Sequence, residues 1–278
     1  MNAFRSISRT LSLLIVGTLF LTVILSCAAP ATEPAAGDDD NDAAADSASP
    51  LAATSWILHT IEGQDALPIA PATANFGDNI VQGVATCNTY STTYSATGDT
   101  INIAPPTINA IFCPAALTQQ ELAFVSALET AAVYEIVDGV LILRDEASNE
   151  LATLVAAPTT VSDTAWRATG YLNSKGGMVT VIEGSVITAA FGTDDSLTGF
   201  GGCNDYTGTY RVEGETIKVA PAATTKKACS DPSGVMDQES DYLAALELAA
   251  TFDLQGARLE FRDGENKQVV TFVYDTRQ

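Results

Sequence analysis

Two cysteine pairs with the same spacing constrain this chain more than any other feature. Cys87 and Cys113 are 26 residues apart, and so are Cys203 and Cys229. A shift of 116 residues lays Val81–Cys113 on Leu197–Cys229 without a gap, and 12 of the 33 positions are identical. The identities include Gly83/Gly199, Asn88/Asn204, Tyr90/Tyr206, Tyr94/Tyr210, Gly98/Gly214, Ile101/Ile217 and Pro105/Pro221. The repeat extends beyond this block. Trp56 follows Thr54-Ser55 and Trp166 follows Thr164-Ala165, while Glu121 and Glu239 each precede a leucine (Leu128, Leu246) by seven. A period this long means two successive domains rather than a solenoid. The sequence predicts one domain over 51–156 and a second over 162–275, joined through Ala156–Val161.

Each unit reads mainly as strand. Asn79–Val84 and Val186–Phe191 are rich in β-branched residues. Thr92–Ser95 and Thr209–Val212 are expected to pair with Thr100–Ile103 and Thr216–Val219 across hairpins at Gly98 and Gly214, where a tight turn needs positive φ. Three closing strands follow in each unit: Tyr134–Val137, Val140–Arg144 and Leu151–Val155, then Phe252–Leu254, Ala257–Arg262 and Gln268–Tyr274. One helix interrupts each unit. Leu122, Val125 and Leu128 are expected on its buried face in the first unit, and Leu243, Leu246 and Ala250 in the second. Thr118 and Glu121 suggest a capping box at the first helix's start. The expected fold class is mainly β (α+β): two tandem small antiparallel β domains, each wrapped around one helix.

The N-terminus reads as an address. Arg5 and Arg9 precede an apolar run from Leu11 to Leu25, about 15 residues, which is short for a membrane span but suits a signal sequence. The run ends at Ser26-Cys27-Ala28, which resembles a bacterial lipobox. Residues 1–26 are therefore expected to be removed and Cys27 to carry lipid. Residues 27–50 hold six acids and no base, the composition of a solvated tether. The chain as a whole carries 13 Lys+Arg against 34 Asp+Glu, a formal charge of -21, which argues against a nucleic-acid partner. The expected location is the exterior or periplasmic face of a cell or outer membrane, with the membrane itself as one partner.

Several motifs carry a resemblance. Gly199-Phe200-Gly201-Gly202-Cys203-Asn204, Tyr206, Gly208-Thr209-Tyr210, Lys226-Lys227-Ala228-Cys229, Glu239 and Tyr242–Leu246 together resemble the META domain of HslJ-like lipoproteins. The second unit matches closely. The first departs from the pattern, with Ala85-Thr86 in place of two glycines and Ile111-Phe112 in place of the basic-Ala pair before Cys113. The resemblance implies envelope location, an association with stress tolerance, and no established catalytic residue.

The candidate site residues have plain structural readings. The duplication favours the pairings Cys87–Cys113 and Cys203–Cys229, since each copy must have folded alone; buried or reactive thiols are the alternatives. Gly201 and Gly202 lack the Lys-Ser/Thr of a phosphate loop and are expected to relax a strand bend. Asn88 and Asn204 are expected to stabilise turns by bonding their own backbone in a left-handed conformation, with a ligand-facing amide as the alternative. Glu121 and Glu239 could serve as paired catalytic acids, but a place at a helix N-terminus explains them better. His59 is the single histidine, so no two-imidazole metal site exists, and neither a metal nor a cofactor is expected. The leading expectation is a non-enzymatic, lipid-anchored interaction module whose partner is an unknown envelope protein. A barrel enclosing an apolar ligand such as a lipid is the alternative, and a carboxylate-dependent hydrolase a weaker one.

Overall fold

The computed structural model describes residues 49–277; Cys27, the leader and most of the acidic segment lie outside them. The first domain holds β1 (Thr54–Ile61), β2 (Gln64–Asp65), β3 (Thr73–Phe76), β4 (Ile80–Val84), β5 (Thr89–Thr97), β6 (Thr100–Ile103), β7 (Thr107–Ile108), α1 (Ala115–Thr130), β8 (Val133–Val137), β9 (Val140–Arg144) and β10 (Glu150–Ala156). The second holds β11 (Thr164–Leu172), β12 (Met178–Thr180), β13 (Thr188–Phe191), β14 (Ser196–Phe200), β15 (Asp205–Glu213), β16 (Thr216–Thr224), α2 (Val235–Glu247), β17 (Thr251–Gln255), β18 (Arg258–Arg262) and β19 (Gln268–Tyr274).

Both sheets are antiparallel and close on themselves. In the first, β1-β3-β4-β5-β6-β8-β9-β10 returns to β1; in the second, β11-β13-β14-β15-β16-β17-β18-β19 returns to β11. Each is an eight-stranded circuit, which removes the exposed edges of an open sheet. The closing pairs repeat. Trp56 faces Ala156 and Leu58 faces Leu154, as Trp166 faces Tyr274 and Ala168 faces Phe272, and a bulge follows directly in both copies. Each circuit has one thin seam. Thr100 pairs with Val133, and Thr216 with Thr251, as the single register pair joining β6 to β8 and β16 to β17. The helix is inserted in sequence at this seam.

The core explains why the seam holds. Phe124 and Leu128 of α1 join a continuous buried cluster with Trp56, Leu58, Phe76, Tyr90, Tyr94, Leu141 and Leu154. Tyr242 and Leu246 of α2 do the same with Trp166, Phe191, Tyr206, Leu259 and Phe272. Alternation along β3 and β13 follows from this packing, with Ala74 and Phe76, then Ala189 and Phe191, turned inward.

The helix expectations need correction. Leu122 is 65% exposed, and the buried face of α1 is Gln120, Glu121, Phe124, Ala127 and Leu128. The buried face of α2 is likewise Val235, Gln238, Glu239, Tyr242, Ala245 and Leu246, and Ala250 lies beyond the helix. The apolar stripe misled because two positions on each buried face are polar. Thr118 is inside α1, not ahead of it; Pro114 occupies the N-cap and no side chain caps the helix there. The Thr118 hydroxyl instead donates back to the Pro114 carbonyl at 3.2 Å.

Candidate functional site

The polar residues of each buried helix face meet the tip of one hairpin. In the first domain the tip is Ala85–Asn88, between β4 and β5; in the second it is Gly201–Asn204, between β14 and β15. The amide of Ala85 donates to the Asn88 carbonyl at 2.7 Å, and Gly201 to Asn204 at 2.8 Å, closing each tip. Folding the chain this tightly turns two consecutive N–H groups inward at the Cys-Asn step.

A helix carboxylate receives them. Glu121 Oε2 accepts from the amides of Cys87 at 3.2 Å and Asn88 at 2.7 Å, and Oε1 accepts from Asn88 Nδ2 at 2.8 Å. Glu239 repeats this with Cys203 at 3.3 Å, Asn204 at 2.6 Å and Asn204 Nδ2 at 2.8 Å. Converging backbone donors form an anion-binding nest, and here the chain's own carboxylate fills it. Both glutamates are buried, 8% and 7% exposed. Their place is the second turn of the helix rather than its end, so donors from the hairpin explain their burial and the helix dipole does not.

The asparagines have a different role from the expected one. Neither takes a positive φ; the positive φ falls two residues earlier, at Thr86 (122°) and Gly202 (111°). Each asparagine reaches away from its own turn. Asn88 Oδ1 accepts from the amide of Ile111 at 2.9 Å. Asn204 Oδ1 accepts from the amide of Lys227 at 2.7 Å and from the Thr225 hydroxyl at 2.8 Å, while Nδ2 also donates to the Lys227 carbonyl. The asparagine therefore ties the hairpin tip both to the helix and to the loop that carries the second cysteine.

The disulfides complete the clamp. Cys87–Cys113 and Cys203–Cys229 are formed, as the repeat predicts. Each joins the hairpin tip to the segment before the helix, across a loop for which the chain-entropy model gives about 3.5 kcal/mol.

In the second domain the two glycines leave room for the clamp's side chains. A Cβ on Gly201 would lie 2.8 Å from Glu239 Cγ, and one on Gly202 would lie 2.7 Å from Gln238 Nε2. Space for the helix side chains matters at both positions, together with the positive φ at Gly202. In the first domain Ala85 fits fully buried, and Thr86 accepts the unusual φ while its hydroxyl accepts from Gln120 Nε2 at 2.8 Å.

Sequence reasoning missed the residue next to each glutamate. Gln120 Oε1 accepts from the Leu67 amide at 2.6 Å, and Gln238 Oε1 from the Ile182 amide at 2.7 Å. Gln238 Nε2 donates to Ser185 Oγ at 2.7 Å. Each helix thus holds two loops with one Gln-Glu pair. The signal was available, since Gln120-Glu121 recurs as Gln238-Glu239 at the same offset as the leucines.

The tyrosines repeat too. Tyr90 and Tyr206 donate to the carbonyls of Thr73 and Thr188, and Tyr94 and Tyr210 to those of Gly77 and Gly192. Tyr206 also meets the Tyr242 hydroxyl at 2.9 Å. Burial pushes the Tyr90, Tyr206 and Tyr242 phenols well above their ordinary range. His59 lies on β1, and among the described residues no group of His, Cys, Asp and Glu could hold a metal ion.

A family model for the META domain matches residues 49–158 and again residues 159–276. The chain belongs to the META domain family. Each META domain is one closed barrel with its clamp. Among solved structures, one similar chain is a protein from Burkholderia xenovorans determined by NMR. It is 26% identical, with 42% of this chain and 85% of that chain covered and a TM-score of 0.36. Another is a DUF4847 family protein from Bacteroides vulgatus ATCC 8482, 14% identical, with 42% and 95% covered and a TM-score of 0.31. No curated protein matches the chain.

Proposed function

We propose that this tandem META protein is a non-enzymatic, lipid-anchored envelope module that presents a rigid interaction surface, with a role in stress tolerance of the HslJ-like kind. One observation carries the non-enzymatic reading. Glu121 and Glu239, the carboxylates best suited to acid catalysis, each accept three hydrogen bonds from the chain's own hairpin tip. A carboxylate so engaged and so buried has no free approach to a substrate oxygen. The two also belong to separate barrels, so they cannot flank one bond as glycosidase carboxylates do.

The apolar-ligand reading has less support. Phe76, Tyr90, Tyr94, Phe124 and Leu128 crowd the first interior, and Trp166, Phe191, Tyr206, Tyr242 and Phe261 the second. An eight-stranded barrel is wide enough either to be filled by side chains or to hold one small ligand, and here large buried side chains take up the interior.

Anchoring rests on the Ser26-Cys27-Ala28 motif and agrees with two disulfides, which form and persist in oxidising compartments. The test is the mass of the mature N-terminal peptide together with fractionation of Cys27→Ser. An acylated Cys27, with the serine variant left unprocessed or soluble, supports the reading. A serine variant processed normally and fully membrane-bound overturns it.

A further inference from the structure

The disulfide in the first domain holds up an unusual tip. Phe112 is 97% exposed and Ile111 is 59% exposed, immediately before Cys113. Exposed apolar side chains are ordinary when scattered, but two adjacent ones of this size need an explanation. This tip is also firmly held. Cys113 is bonded to Cys87, the Ile111 amide donates to Asn88 Oδ1, and Asn109 Oδ1 accepts from both the amide and the hydroxyl of Thr89. Holding a contact residue in place beforehand removes much of the ordering cost of binding.

The segment that carries the tip is free of charge. The first domain carries eleven acids and one arginine over 51–156, yet the 21 residues Thr100–Gln120 contain no charged residue at all. The exposed surroundings of Phe112 within that run are Ala110, Pro114, Ala115 and Ala116. A protein–protein interface surrounds such an aromatic centre with a polar, charged rim that steers and registers the partner, and this run supplies no charge for one. A surface that enters the boundary between lipid headgroups and acyl chains must shed it, because charge is costly there and an acidic domain is repelled by anionic lipid.

We propose that the Ile111-Phe112 tip is a lipid-surface contact, in which Phe112 inserts at the headgroup–acyl boundary and turns the first META domain toward the bilayer. The proposal deepens the envelope reading and rests on it for the presence of a membrane. The strand registers place β1's start, with Thr54 level with Phe76 and Val81, at the barrel end opposite the tip. The 21 residues between Cys27 and Ser49 have a contour of about 70 Å at ~3.3 Å each, more than the ~30 Å length of a nine-residue strand, so an anchored chain can still bring the tip to the same bilayer.

The second domain supplies the control. The same clamp there carries Lys226, Lys227 and Ala228 where the first domain has Ala110, Ile111 and Phe112, so two cationic residues and a small one replace the apolar tip within the same cysteine frame. Copying that sequence into the first domain (Ala110→Lys, Ile111→Lys, Phe112→Ala) should leave the frame intact, because the frame already holds those residues once. The experiment uses residues 28–278, which retain both barrels with their cores and disulfides but lack Cys27, with vesicles of pure phosphatidylcholine. The expected result is partition of the native chain, weakened at least about tenfold in Phe112→Ser and in the triple variant, both with unchanged melting. In Phe112→Trp, emission should shift to the blue on vesicle addition and be quenched by lipids labelled near the headgroup. Absence of native partition, or partition equal in all three chains, overturns the proposal. Because Cys27 is absent from this chain, neither outcome bears on lipid anchoring, which the Cys27→Ser fractionation tests separately.

Discussion

Replacing Glu239 by glutamine probes the clamp with the smallest possible change of shape. The carboxylate meets three donors: two backbone amides at Oε2 and Asn204 Nδ2 at Oε1. An amide offers only one acceptor oxygen. If it faces the backbone pair, its NH₂ points at Asn204 Nδ2, donor against donor. Asn204 cannot turn over to compensate, because Oδ1 already accepts from Lys227 and Thr225 while Nδ2 donates to the Lys227 carbonyl. The change therefore removes one charge-assisted bond, worth about 1.5–3 kcal/mol, and leaves a buried donor unsatisfied at about 1–3 kcal/mol. A loss on the order of 3–5 kcal/mol is expected, in line with breaking a buried charged interaction. For a domain of this size that lowers its Tm by roughly 15 °C. The assay is denaturant and thermal unfolding followed by Trp166 fluorescence in a Trp56→Phe background, since the chain has one tryptophan per barrel. A shift under about 1 kcal/mol in the Trp166 transition would refute the reasoning, because it would mean the three contacts contribute almost nothing net.

Other outcomes follow from the same geometry. Gly202→Thr should destabilise the second domain by more than about 2 kcal/mol, because its Cβ would crowd Gln238, Ser185 and Val235; Thr86→Gly, which trades backbone strain for one lost hydrogen bond, should stay within about 1 kcal/mol of native. Paired Cys203→Ala and Cys229→Ala changes should cost the second domain about 2–5 kcal/mol, read by the same Trp166 unfolding curve. The tyrosines' contribution to stability should fall as pH rises past 10: the unfolded chain releases its tyrosine protons near 10, whereas burial keeps Tyr90, Tyr206 and Tyr242 protonated in the fold, so the folded state binds more protons there. Phenolate absorbance and circular dichroism recorded together check this, and phenolate appearing well before loss of structure would count against it.

The repeat made most of the fold readable. Equal cysteine spacing and the shared Tyr, Gly and Trp positions led to two like domains, their hairpins and both disulfides. What escaped had a physical reason. The strand β3 is four residues long and lies just after Pro71, too short for a periodicity signal, although Thr73-Ala74-Asn75-Phe76 recurs as Thr188-Ala189-Ala190-Phe191. Leu128 and Leu246 are buried as expected, but the rest of each helix face was misjudged because an apolar pattern cannot register a buried Gln-Glu pair, whose burial depends on hydrogen-bond partners more than thirty residues away. Asn88 and Asn204 were correctly placed at turns, but their partners are Ile111 and Lys227, contacts between distant segments that local turn chemistry does not reveal. Gly201 and Gly202 read as loose backbone, while the space they leave is taken by Glu239 and Gln238.

Amide hydrogen exchange at Asn88 and Asn204 tests the clamp most directly, in the unmodified protein. Both residues sit in hairpin tips close to exposed loops, where unprotected amides exchange quickly. If a buried carboxylate holds them at 2.7 and 2.6 Å, each amide should exchange only through unfolding of its own barrel, as slowly as the central strands. Exchange at the rate of the neighbouring loops in either domain would contradict the account.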